Sequence, residues 1–397
     1  MFKRYVEILS LPGALAFSLA GVVARFPMAL VGISTILMIE QLYGNYASAG
    51  VVSGASVISF AVGAPILARL VDSYGQARVM IPSITISALA MSGVIYAAIM
   101  RAPLVVLIVL AIVTGLTTGS IGSLVRSRWA KVATEGWQIQ AAYSMESAFD
   151  ELVFVVGPIL ATFLATSVHP TAGLALTIVL TLAGGYWFLL QKKTEPVPTP
   201  RPKDTHERSV MLNPTMIVLA ITYMGAGALF GANDLAVVAF TKEHGAASLA
   251  GAMLAIFALG SLCGALVYGA RTWKMPLWKL FGIGILALAI GASTFVFASS
   301  LPILGVVMLV TGLVIAPTMT NVNTIVQRIM PSGRLTEGLT WMSTAMNIGV
   351  SIGAALSGPL VDSQGSHGGF LVVIASGWCM AAAAFLGMRV LKKSTTQ

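Results

Sequence analysis

Twelve long apolar runs divide this sequence, and its basic residues fall in alternate gaps between those runs. A helix needs about 20 apolar residues to cross the hydrocarbon core of a bilayer. Twenty of the 23 Lys and Arg residues lie near the chain ends or in every second gap. Because cytoplasmic loops carry an excess of Lys and Arg, the pattern predicts an all-α integral membrane protein with both termini in the cytoplasm. The runs lie near 13–40, 47–70, 78–100, 103–126, 138–166, 170–191, 213–240, 247–270, 276–299, 302–328, 337–361 and 368–391.

The composition leaves no room for a separate soluble domain. The chain is 57% hydrophobic and 9% charged, whereas about a quarter of the residues in a soluble domain are charged. The net charge of +9 comes from residues at membrane edges, where they meet lipid headgroups, so we expect no nucleic-acid partner. The sequence has no phosphate-binding glycine loop, metal-ligand spacing or nucleophile–base set. We therefore expect no cofactor, no metal and no enzyme activity.

Residues 191–212 interrupt the pattern of apolar runs. This stretch has four prolines and alternating charges, which is typical of an extended linker. It separates an N-terminal bundle of six helices, residues 1–190, from a C-terminal bundle of six, residues 213–397.

The two bundles repeat each other in sequence. The tripeptide that begins at Thr114 recurs at Thr311, and the Gly-Pro pair at Gly157 and Pro158 recurs at Gly358. Both offsets are close to 200 residues. Parallel six-helix repeats are one plan of secondary transporters, which hold the substrate at the midplane between the halves.

The loop after the second run resembles a signature of the major facilitator superfamily. It reads Ala-Arg-Leu-Val-Asp-Ser-Tyr-Gly-Gln-Ala-Arg over residues 68–78, and the family pattern is Gly-x-Leu-Ala-Asp-Arg-x-Gly-Arg-Arg. Asp72 and Gly75 match, and Arg69 and Arg78 supply the basic residues. The resemblance implies a gate on the cytoplasmic side, in which this loop holds a neighbouring helix. The alternative is that Arg69 and Arg78 only mark topology.

Two further segments of the sequence bear on the resemblance to the major facilitator superfamily. Gly157-Pro158 is similar to the helix-five signature of antiporter-type exporters, although the usual flanking glycines are absent. The fourth helix lacks the arginine of the family's helix-four motif, since Thr114–Gly119 has no charge. This departure leaves the family's usual proton-coupling residue without a counterpart. The resemblance is to twelve-helix bacterial efflux permeases that export drugs or sugars.

Four charged residues lie well inside the apolar runs. Arg25 is in the first run, and Glu146, Asp150 and Glu151 are in the fifth. A charge at the bilayer centre costs about 2.5–3.5 kcal/mol, so we expect Arg25 to pair with Asp150 or Glu151 in a cluster with one carboxylate in excess. Glu146, Asp150 and Glu151 are the candidate proton carriers, of which the carboxylate left in excess can exchange a proton. Arg25 is the candidate ion-pair partner or contact for an anionic substrate. The alternative is a static ion pair that holds helices together.

Amides and glycines in the other runs allow two interpretations. Asn321, Asn323 and Asn347 either line a cavity as substrate contacts or form hydrogen bonds between helices. Four glycine pairs have the spacing of close helix contacts: Gly50/Gly54, Gly115/Gly119, Gly260/Gly264 and Gly349/Gly353.

These features together predict a proton-coupled exporter of a small amphipathic molecule, a drug-like compound or a sugar, working by alternating access. Its expected partners are that substrate, protons and the lipid of a bacterial cell membrane, and we expect a monomer. A proton symporter or facilitator for uptake is the alternative within transport. A membrane sensor or a lipid translocator is the alternative of another class.

Overall fold

The computed structural model describes residues 3–44, 46–199, 209–246 and 249–396, and these residues form helices and connections without strands. Arg201, Lys203 and Arg208 of the expected linker lie outside them. Short 3-10 turns occur at Lys192–Thr194, Val210–Leu212, Phe295–Phe297 and Ser332–Arg334. The α-helices are α1 Lys3–Leu9, α2 Ala14–Tyr43, α3 Tyr46–Tyr74, α4 Gln76–Ile99, α5 Leu104–Thr118, α6 Ile121–Val132, α7 Gly136–Ser167, α8 Ala172–Leu189, α9 Pro214–Glu243, α10 Ala250–Gly269, α11 Leu277–Ser293, α12 Leu301–Gly312, α13 Ile315–Ile329, α14 Leu335–Leu386 and α15 Met388–Thr396.

Eleven helical segments of the described chain are long and apolar enough to cross a membrane. The last of them, α14, has 52 residues and a non-helical backbone at Gly365, with φ 66° and ψ −156°. Its two arms fold back on each other, because Met346 and Met380 meet neighbouring turns of α9. The runs expected near 337–361 and 368–391 are therefore joined by a tight reversal, which Glu243 stabilises by accepting a hydrogen bond from the Ser366 backbone N–H at 2.6 Å.

A glycine breaks the run expected as one helix over 103–126. Gly119 has φ 67°, a conformation that glycine adopts without the steric cost of a side chain. The chain therefore continues after Gly119 as a second short helix, α6. A matching break separates α12 from α13 in the second half, so the repeat seen in the sequence is also present in the backbone.

Glycines allow close helix contacts within each half. A Cβ on Gly115 would lie 2.9 Å from the Phe60 backbone nitrogen, and one on Gly353 would lie 2.6 Å from the Ala228 Cα. Gly50 and Gly54, in contrast, have no neighbouring atom within 4 Å of a Cβ. The contact predicted for that pair is therefore wrong in this conformation, because both glycines face open space.

The two halves meet at the end of the bundle that carries both chain termini, which we call the termini face. There the Tyr5 hydroxyl donates to the Leu266 carbonyl at 2.7 Å, and the Ser127 and Thr336 hydroxyls are 2.8 Å apart. Hydrophobic cores lie mainly inside each half: one falls within residues 210–391 and two within residues 5–189. A smaller cluster of Ala148, Ala265 and Ala316 joins the halves, so the hydrophobic packing between the halves is less extensive than the packing inside them.

We predict that Gly264→Ala lowers the stability of the protein and that Gly251→Ala, in the same helix α10, does not. A Cβ at Gly264 would lie 3.0 Å from the Leu313 Cα, whereas at Gly251 it would meet nothing within 4 Å. Overpacking costs about 1–3 kcal/mol, while alanine otherwise favours a helix over glycine by about 1 kcal/mol. Thermal unfolding in detergent should show a lower Tm for Gly264→Ala and an unchanged or higher Tm for Gly251→Ala. Equal Tm values would contradict the close packing of α10 on α12 and α13.

Candidate functional site

Four charged side chains from three helices meet inside the N-terminal half. They are Arg25 of α2, Arg126 of α6, and Glu146 and Asp150 of α7, and we call them the four-charge cluster. Glu146 and Asp150 share one face of α7 because their spacing is one helical turn. Two cations and two anions make the cluster neutral.

Glu146 is the fully buried acid of the cluster. Its carboxylate pairs with the Arg25 guanidinium and also accepts hydrogen bonds from the Ser18 hydroxyl and the Trp129 indole N–H, both at 2.7 Å. Three donors thus satisfy a carboxylate whose side chain is 0% exposed. A buried charge with that many partners is held in one geometry.

Asp150 bridges the two arginines. One carboxylate oxygen accepts from Arg25 Nη1 at 2.6 Å, and the other accepts from Arg126 Nη2 at 2.8 Å. The Arg25 Nε also donates to the Gly21 carbonyl at 3.0 Å. The Asp150 side chain is 22% exposed, so it is the more accessible of the two acids in the cluster.

The expected pairing of Arg25 with Asp150 is therefore seen, but the composition of the cluster differs from the expectation. Its second cation is Arg126, which is one of the twenty basic residues counted in the sequence near the chain ends and in alternate gaps. α6 and α7 form a hairpin, and the Tyr143 hydroxyl donates to the Arg126 carbonyl at 3.3 Å. Arg126 thus lies level with the turn of α7 that precedes Glu146.

Glu151 is separate from the cluster, so of the two acids expected as alternative partners of Arg25, Asp150 and not Glu151 forms the pair. Its carboxylate accepts a hydrogen bond from the Ser261 hydroxyl of α10 at 2.7 Å. This bond joins the N-terminal half to the C-terminal half. Among the described residues Glu151 forms no ion pair, and it is the carboxylate in excess.

The three candidate asparagines do not converge on one site. The Asn321 side-chain oxygen accepts from the Tyr268 hydroxyl at 2.5 Å, which favours the hydrogen-bonding interpretation for that residue. Asn323 is buried, and Asn347 is half-buried, on another helix. Their role in substrate contact stays a prediction.

Asp72 lies at the interface of the halves and binds the start of α14. Its carboxylate accepts from the backbone N–H of Glu337 at 2.9 Å and from that of Thr336 at 3.3 Å. It therefore caps a helix of the other half, where unpaired N–H groups and the helix dipole favour an anion. Arg69 and Arg78 are exposed.

Two glycines of the sequence motifs have structural explanations. Gly75 has φ 98° at the turn between α3 and α4, where a side chain would be strained. Gly157 packs against α2, since a Cβ there would lie 2.6 Å from the Ala29 Cβ. Pro158 follows without ending α7.

Comparison with protein-family models identifies one family. Residues 17–237 and 215–396 each match the family model "Major Facilitator Superfamily". No curated protein matches in a sequence search. A bacterial homologue of the iron transporter ferroportin, solved in an outward-facing state, superposes with a TM-score of 0.73 at 15% identity, covering 97% of this chain and 99% of the other. The human organic anion transporter MFSD10 (TETRAN) gives 0.68 at 15% identity with the same coverage. At this identity the likeness shows the fold alone.

We predict that Arg25→Met strongly destabilises the protein and that Glu146→Gln in the same chain recovers part of the loss. Removing one partner of a buried ion pair costs about 3–5 kcal/mol, because it leaves an uncompensated charge. Arg271→Met, at an exposed position, is the control with the same charge change. Thermal unfolding in detergent measures all three. If Arg25→Met unfolds at the same temperature as Arg271→Met, the four-charge cluster does not hold α2 to α7.

Proposed function

Because the chain belongs to the Major Facilitator Superfamily, whose members are membrane transporters rather than enzymes, we propose that it is a proton-coupled secondary transporter. It exports a small amphipathic molecule, a drug-like compound or a sugar, in exchange for protons. The observation that carries this proposal is Glu151, a carboxylate hydrogen-bonded across the interface of the halves to Ser261.

The proposed topology has twelve crossings and both termini in the cytoplasm. The two antiparallel arms of α14 supply the eleventh and twelfth crossings, and the excess of basic residues at the termini face supports its cytoplasmic location. Residues 1–190 and 213–397 then rock about the interface as two bodies, joined by the linker 191–212. The described conformation, closed at the termini face, corresponds to the state open to the outside.

Glu151 is the proposed proton carrier. Of the three acids in α7, it is the one without a cationic partner among the described residues. A proton can therefore be added there without leaving a buried arginine unpaired. Its bond to Ser261 joins residues of the two halves, so this bond must change when the halves rock apart. Protonation of Glu151 and the rocking of the two halves are thereby linked through this hydrogen bond.

The four-charge cluster has a different proposed role. Protonating Glu146 or Asp150 would leave Arg25 or Arg126 with an unbalanced charge in a buried site. We assign both acids to holding α2, α6 and α7 together, and the coupling role predicted for them from the sequence passes to Glu151.

The proposed substrate class and the proposed direction of transport rest on the resemblance to family members. The Gly157-Pro158 pair favours export, as in antiporter-type exporters. The neighbours of similar fold are named for iron and for organic anions, and neither substrate is carried over at 15% identity. Uptake by symport and facilitated diffusion are the outcomes that the transport experiment distinguishes.

We predict that Glu151→Gln abolishes proton-driven transport while the protein folds and still exchanges substrate. Purified protein in liposomes with a trapped pH-sensitive dye would be given gradients of sugars and cationic drugs. Wild type should show proton movement that depends on the substrate, and Glu151→Gln should show substrate exchange without it. Glu40→Gln, a half-buried acid at the far end of α2, is the control and should behave as wild type.

Three results would each overturn part of this proposal. Normal proton movement in Glu151→Gln would remove Glu151 as the carrier. Substrate flux without proton movement in wild type would make the protein a facilitator. Proton movement in the same direction as the substrate would replace export by symport.

Asp72 is the proposed gate, because its bonds to the start of α14 close the termini face. Losing a helix cap costs about 1 kcal/mol, which is about a fivefold change in an equilibrium. We predict that Asp72→Ala raises the ratio of the state open at the termini face to the closed state by that factor, whereas Ser73→Ala does not.

A cysteine pair would report this population. α3 and α14 run antiparallel from the Asp72 contact, and with the same rise per residue Gly50 and Gly358 lie at one depth, each facing open space. In a chain with Cys263→Ser and Cys379→Ser, Gly50→Cys and Gly358→Cys should cross-link when that end closes. Asp72→Ala should raise the cross-linking yield, and an unchanged yield would contradict the gate.

A further inference from the structure

A cavity of about 720 Å³ lies at the edge of the N-terminal half on the termini face. It is separate from the four-charge cluster and from Glu151. Its walls come from the turn between α3 and α4, the end of α6, the end of α8 and the linker that follows. The cavity opens on the outside of the bundle, as the exposure of Leu190 and Val197, 59% and 79%, indicates.

The wall formed by the linker is held in place by hydrogen bonds. The Lys131 ammonium donates to the Glu195 carbonyl at 2.6 Å, and the Glu195 carboxylate accepts from the Ala77 backbone N–H at 2.9 Å. Arg128 Nη1 donates to the Gln191 carbonyl at 2.8 Å. These hydrogen bonds fix the linker segment in place, where it forms one wall of the cavity.

The lining combines cations with apolar surface. Arg78, Lys131 and Lys192 contribute three positive charges and Glu195 one negative charge, which leaves an excess of two. The side chains of Arg78 and Lys192 are exposed and form no ion pair among the described residues. Next to them, Ile81, Pro82 and Leu190 give an apolar wall.

We propose that this cavity binds the phosphate headgroup of an anionic phospholipid, with an acyl chain along the apolar wall. The excess of positive charge attracts a phosphodiester, which carries one negative charge, and basic pockets at the cytoplasmic surface are suited to such headgroups. A soluble phosphate would use the cations but would gain nothing from Ile81, Pro82 and Leu190. A phospholipid would contact both the cations and the apolar wall, and the cavity lies at the depth of the lipid headgroups.

The test is lipid retention measured by native mass spectrometry on the full-length protein in detergent. Phosphatidylglycerol and phosphatidylcholine would be titrated separately into wild type, Arg78→Ala/Lys192→Ala and Arg271→Ala/Lys274→Ala. The last variant removes the same charge from exposed positions after α10, on the same face. Each cation near an anionic surface strengthens binding about fivefold, so Arg78→Ala/Lys192→Ala should bind phosphatidylglycerol about 25-fold more weakly than wild type.

The expected pattern has three further parts. Arg271→Ala/Lys274→Ala retains phosphatidylglycerol as wild type does, Arg78→Lys/Lys192→Arg retains it too, and wild type binds phosphatidylcholine far more weakly. Equal losses in the two alanine variants would overturn the proposal, because attraction would then be non-specific. Displacement of phosphatidylglycerol by millimolar inorganic phosphate would overturn it in favour of a free-phosphate site. Thermal unfolding of each variant shows that a loss of lipid is not a loss of fold.

Discussion

Charge neutralisation inside the membrane determines how the N-terminal half is arranged. Two arginines and two acids at bilayer depth must find each other, and they do so by joining α2, α6 and α7. The direction of Glu151 follows from this. Successive residues of a helix point about 100° apart, as 3.6 residues per turn require. Because Asp150 is turned inward to its arginines, its neighbour Glu151 is turned toward α10 and meets Ser261. The interface acid is thus positioned by the buried cluster.

Packing inside each half differs from packing between the halves. Lipid tails are as apolar as leucine, so helices in a membrane are held by close contact and polar bonds. Glycines such as Gly115, Gly264 and Gly353 bring backbones together within a half. Between the halves, hydrogen bonds such as that of Tyr5 to Leu266 lie at the termini face, and Gly50 faces open space at the other end. Two rigid bodies with a thin interface are what rocking requires.

The sequence predicted where the membrane helices lie and how deep in the membrane the charged residues lie. It did not predict which way a side chain points around its helix. Apolar runs indicated the helices, and burial cost indicated that Arg25 needs an acid. The rotation of α7 about its axis was not determined, so Glu151 and Asp150 were equivalent candidates. Arg126 was missed because a residue at the end of a run can point to lipid headgroups or inward. The break at Gly119, which starts α6 as a separate helix, is visible only in the backbone.

The two acids at the interface have neutral partners, and this determines how easily the halves separate. Asp72 accepts from backbone N–H groups of α14, and Glu151 accepts from a hydroxyl. Hydrogen bonds of this kind contribute about 0.5–3 kcal/mol each, whereas breaking a buried ion pair costs about 3–5 kcal/mol. An arginine on α10 in place of Ser261 would tie the halves together as firmly as Arg25 ties α2 to α7. The strong pairs of the four-charge cluster lie inside one half and the weak bonds lie between halves, so thermal energy can open the interface without disturbing the cluster.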